Sequence, residues 1–103
     1  MSRSRQVETM HDWTFLSVSV DWKAGTARLA FIPFGDGDEP KHIVATGLSD
    51  LRLPRKLPWG RSVSVNSSKG PILIDGGGYR LSIEMQTGDQ IEIVAAQFEM
   101  PAI

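Results

Sequence analysis

Apolar and polar residues alternate most cleanly from Tyr79 to Gln86, with Tyr79, Leu81, Ile83 and Met85 set against Arg80, Ser82, Glu84 and Gln86. A period of two sends successive side chains to opposite faces, so this segment predicts a strand with one buried face. Thr87-Gly88-Asp89 reads as a tight turn, and Gln90 to Met100 returns as the second strand of a C-terminal β-hairpin. In the returning strand the phase slips. Ile91 and Ile93 are apolar at odd positions, whereas Val94, Ala96, Phe98 and Met100 are apolar at even ones. A strand cannot turn its whole core face to water, so the slip predicts a β-bulge near Val94, within Ile93 to Ala95, or a bend between sheets.

The same period recurs earlier in the chain. Leu16, Val18, Val20 and Trp22 share a face in a strand near Thr14 to Trp22, and Lys23-Ala24-Gly25 turns into a second strand, Thr26 to Phe34. There Ala27, Leu29 and Phe31 face one way, Arg28 and Ala30 the other. His42 to Gly47, a weak Leu48 to Leu53, Arg61 to Ser67 and Ile72 to Asp75 are further short candidates. Pro54, Pro58 and Gly60 make the chain between them irregular, because proline lacks the ladder donor. No stretch has a period of 3.6. Without crossover helices a parallel sheet is ruled out. The expectation is an all-β chain: a single antiparallel β-sandwich or compact barrel of about seven short strands.

Length and composition keep that picture simple. At 103 residues the chain makes one domain, 1–103, whose polar, unpatterned start through about Met10 reads as a loose terminus. Hydrophobic residues at 41% and charged ones at 22% are ordinary globular usage. Cysteine is absent, which excludes disulfides, a thiol nucleophile and thiolate metal sites, and suits a cytoplasmic location. The basic start has no apolar stretch behind it, and no apolar run approaches the roughly 20 residues that cross a bilayer, so neither a secretory signal nor a membrane span is expected. A net charge of −1 gives no overall pull toward nucleic acid or membrane. The charge is uneven, however: Lys41 to Arg61 holds five basic residues and one acidic, Ser62 to Ile103 two basic and five acidic.

Little in the chain carries reaction chemistry. His11 and His42 lie in separate segments and make no metal set without further close ligands. The acidic loop with Asp36, Asp38 and Glu39 is too short for a calcium loop. Gly76-Gly77-Gly78 precedes a strand rather than a helix, so it reads as a turn and not a phosphate cradle. No Gly-x-Ser-x-Gly elbow occurs, and Glu84 and Glu92 fall on the polar face of the hairpin, where carboxylates are ordinarily solvated. No cofactor, metal or enzymatic activity is therefore expected. The best candidate surface is Arg52 to Arg61, where Arg52, Arg55, Lys56 and Arg61 accompany Trp59 and rigid prolines. Cations beside an aromatic suit an acidic protein partner, and suit nucleic acid less well given the balanced net charge.

Two segments, Trp59-Gly-Arg-Ser-Val-Ser-Val-Asn66 and Met85-Gln-Thr-Gly-Asp-Gln-Ile-Glu-Ile93, resemble a group of small bacterial β-proteins, some of them grouped with immunity proteins of polymorphic toxin systems. Arg61 stands where that group would place proline or another small residue. The resemblance implies neutralisation of a partner protein and brings no catalytic positions. The expected function is thus non-enzymatic binding of a protein partner through Arg52, Arg55, Lys56, Trp59 and Arg61. Two other classes compete. A small-ligand or carbohydrate binder would show a deep apolar pocket with convergent polar groups. A homo-oligomer would pair its outer strands unless Pro33, Lys69 and the bulge protect them.

Overall fold

The computed structural model describes residues 10–33, 39–56 and 64–101. Six strands run in chain order: β1 (Thr14–Asp21), β2 (Thr26–Ile32), β3 (Lys41–Arg52), β4 (Val65–Leu73), β5 (Tyr79–Met85) and β6 (Gln90–Glu99). All belong to one antiparallel sheet ordered β1-β2-β3-β6-β5-β4, and the described residues include no helix. The all-β expectation holds, with six strands among the described residues. The segments expected as His42 to Gly47 and Leu48 to Leu53 are one strand, β3, interrupted by an extra residue between Leu48 and Asp50. Of the expected segments Arg61 to Ser67 and Ile72 to Asp75, the first of which begins outside the described residues, Val65 to Ser67 and Ile72 to Leu73 likewise join through β4, whose register shifts twice along its length. Each irregularity resets the alternation, so one bent strand reads in the sequence as two short ones.

Among the described residues no helix covers the sheet's apolar face. Here the outer strands meet at one end. Thr14 bridges Ser64, Asp12 N donates to Val65 O at 2.8 Å, and Val65 N donates to Trp13 O at 2.8 Å. Side chains fasten the same seam: Gln86 Nε2 donates to Asp12 Oδ1 at 2.7 Å, and His11 Nδ1 lies 2.7 Å from Asn66 O. Beneath it Met10 is 2% exposed. Of the terminus expected to be loose through about Met10, only Met10 falls among the described residues, and its side chain belongs to the core.

The core draws on every strand. Ala27, Leu29 and Phe31 of β2 face Ile43 and Ala45 of β3, while Leu81, Ile83 and Met85 of β5 meet Ile91, Ile93 and Ala95 of β6. The faces expected for β2 and β5 are thus the buried ones, Tyr79 at 38% exposure excepted, whereas in β1 Leu16, Val20 and the following Trp22 are exposed. In β1 the pairing is displaced at Leu16, between Phe15↔Phe31 and Ser17↔Ala30. Phe15 takes the inward place expected for Leu16, which is 47% exposed. Phe15 stacks on Phe31 at 4.9 Å between ring centroids, and Trp13 meets Phe31 edge-on at 6.0 Å.

The C-terminal hairpin corrects one expectation. β5 and β6 pair without interruption from Tyr79↔Ala95 to Glu84↔Gln90, so no bulge lies in Ile93 to Ala95. The extra residue sits across from them in β3, between Leu48↔Ala95 and Asp50↔Val94. Inward positions on β6 run Ile91, Ile93, Ala95 and then Phe98, and on β3 Ala45 and then Leu48. Both strands therefore change phase together over Thr46-Gly47 and Ala96-Gln97 while their register stays in step. Gly47 makes this local twist accessible with φ +70, a conformation that residues with a Cβ rarely adopt. A slip matched in the neighbouring strand needs no bulge of its own.

Candidate functional site

Of the five residues singled out for partner binding, Arg52, Arg55 and Lys56 fall among the described residues, and Trp59 and Arg61 lie outside them. Arg52 ends β3, and its Nε lies 3.3 Å from Asp50 Oδ2. That pair is well exposed on both sides and so adds little stability, but it limits the guanidinium's freedom. Arg55 and Lys56 follow in an irregular, exposed stretch with no carboxylate within salt-bridge reach among the described residues.

The terminal hairpin holds this stretch. Asp89, in the β5–β6 turn, is 8% exposed and accepts the backbone N–H of Lys56 at 3.3 Å on Oδ1. Its Oδ2 accepts the Thr87 hydroxyl at 3.1 Å, and that hydroxyl in turn accepts Asp89 N at 3.4 Å. The sequence marks Asp89 as a residue able to cap amides, but the amide it caps belongs to a segment 33 positions away, which no local pattern reveals. The clearest scaffold element and the least regular segment are therefore one unit. Asp89→Ala should cost about 2 kcal/mol in urea unfolding, because a buried charged acceptor is lost and its donors are stranded. The Lys56 amide should then exchange faster with solvent than in the parent protein.

Beside this rim an open groove of about 530 Å³ is lined by Arg52, Leu53, Pro54, Lys56, Gln90 and Glu92. Glu84 and Glu92 stand on the outer face of the sheet, as the alternation requires, and Glu84 Oε1 accepts Asn66 Nδ2 at 3.4 Å. No cluster of metal-ligating side chains occurs among the described residues. His11 serves the seam, with Nε2 3.4 Å from Asp12 Oδ2, and His42 lies in β3.

Elsewhere lies an apolar cleft of about 410 Å³ with walls of Val20, Trp22, Leu48 and Leu51. Trp22 is 87% exposed, which the alternation pattern did not distinguish from a core position. The polar side chains on this cleft are already engaged: Ser49 Oγ donates to Val94 O at 3.2 Å, and Asp50 pairs with Arg52. The convergent polar groups that a small-ligand site requires are not gathered there. At the sheet's outer edge β4 carries exposed Lys69 and, two residues on, Pro71, both of which hinder strand pairing with a second molecule. Pro33, expected as a further guard, is buried at the end of the interior strand β2 and protects no edge. No protein-family model, curated protein or solved structure matches the chain.

Proposed function

We propose that this chain is a non-enzymatic interaction protein, immunity-like in the sense that it occludes a partner protein, with the rim Arg52, Arg55 and Lys56 as its contact surface. One observation supports this above the others. Arg55 and Lys56 are exposed and have no carboxylate partner among the described residues, while the backbone amide of Lys56 is bonded to Asp89. Exposed cations on an anchored backbone present positive charge at a fixed place on the surface, which suits an approaching acidic partner. Mixed charge in the adjoining groove, where Glu92 sits with Arg52 and Lys56, favours a protein over a uniformly anionic nucleic acid.

The test is affinity capture from extracts of the source organism, with the protein as bait. Alanine at Arg52, Arg55, Lys56, Trp59 and Arg61 together should abolish specific capture, and capture that survives those replacements removes the assignment.

A further inference from the structure

A second groove crosses the same outer face. It holds about 350 Å³, is lined by Ser67, Lys69, Ser82 and Glu84 among others, and shares Gln90 with the groove beside the basic rim. The two adjoin at Gln90 and together make a trough across β4, β5, β6 and the end of β3. The register orders its charges. Lys69 is opposite Ser82, Ser82 opposite Glu92, and Glu92 opposite Arg52. In the adjoining row Ser67 is opposite Glu84 and Glu84 opposite Gln90. Directly opposed residues share a face, so these side chains all stand on the outer side of the sheet.

The trough is therefore cationic at both ends, with Lys69 at one and Lys56 with the Asp50-paired Arg52 at the other, and carries carboxylates Glu84 and Glu92 between them. Three interstrand steps separate Lys69 from Arg52, roughly 14 Å at the usual strand spacing. In an extended peptide, residues i, i+2 and i+4 share one face and span about 13 Å. The two lengths match. A continuous polyanion fits the ends and is repelled at the centre.

We propose that the trough seats an extended segment of the partner with the pattern Glu-x-Lys-x-Glu, laid across the strands. Its two glutamates face Lys69 and the Arg52–Lys56 rim, and its lysine faces Glu84 and Glu92. Leu53, 38% exposed beside the rim, offers an apolar contact to the peptide's flank. This inference rests on the reading of the rim as a contact surface and adds the charge order of what it contacts.

The probe is the synthetic peptide Ser-Glu-Ser-Lys-Ser-Glu-Ser, capped at both ends, against its charge-reversed counterpart Ser-Lys-Ser-Glu-Ser-Lys-Ser, titrated into the full chain and followed by amide NMR shifts. At low ionic strength the first should bind at least about five-fold more tightly and shift amides at Lys69, Ser82, Glu92 and Arg52, an advantage that added salt removes. Glu92→Lys, a surface change that leaves the core untouched, should erase the preference. Equal affinity for the two peptides, no binding of either, or shifts that map away from the trough overturns the proposal. If the peptide fails while alanine at the rim still abolishes capture, the charge order falls and the interaction reading stands.

Discussion

Phe31→Ala should lower stability by about 3–5 kcal/mol, the largest loss expected from any single truncation in this chain. Phe31 has no exposed surface, stacks on Phe15 and meets Trp13 edge-on. Its removal leaves a cavity where the seam residues and the first hairpin converge, and neither neighbour can collapse into the gap freely, since Phe15 is fixed by its pairing in β1 and Trp13 by its backbone bond to Val65. In a domain of about 100 residues each kcal/mol shifts the melting midpoint by roughly 4–8 °C, so a drop on the order of 15 °C or more is expected in a thermal melt. Leu16→Ala is the control. That residue is displaced by the irregularity in β1 and is 47% exposed, so its truncation should cost well under about 1.5 kcal/mol. Equal losses for the two would mean that Leu16, and not Phe15, faces the core.

Gly47→Ala is the second large effect. A Cβ at Gly47 would lie 2.7 Å from Ala96 Cβ, and the backbone there has φ +70. Conformation and contact together should cost about 2–3 kcal/mol in denaturant unfolding. The two contributions separate in a double-mutant cycle. Ala96→Gly removes the contact and should restore part of the loss when combined with Gly47→Ala, while the conformational part remains. Strict additivity of the two substitutions would show that β3 and β6 do not change phase together at this point.

What the sequence disclosed follows from how local each cause is. Alternation in β2 and β5 names Ala27, Leu29, Phe31, Leu81 and Ile83 as core, because each strand is regular over its length and these positions are buried. The same rule misplaces Leu16 and divides β3 and β4 in two, since an extra residue in a strand resets the period without leaving a mark in residue type. The slip near Val94 is visible, but its resolution in the neighbouring strand depends on a pairing partner nearly fifty positions away. The site divides in the same way. Arg52, Arg55 and Lys56 stand out by charge alone, whereas their anchorage by Asp89 and their continuity with Lys69 through Glu92 are products of strand order. Met10 and Trp22 exchange their expected roles for a related reason. Closure of the seam draws Met10 inward, and the tip of the first hairpin carries Trp22 clear of the core.

Whether the rim is a contact surface is decided most directly by charge reversal with a matched control. Arg55→Glu with Lys56→Glu changes the net charge by the same amount as Lys23→Glu with Arg28→Glu, and all four residues are exposed in the parent protein. Captured partner, measured against the parent at physiological salt, should be lost with the first pair and kept with the second. Retention with both pairs, or equal loss with both, contradicts a contact surface at Arg55 and Lys56.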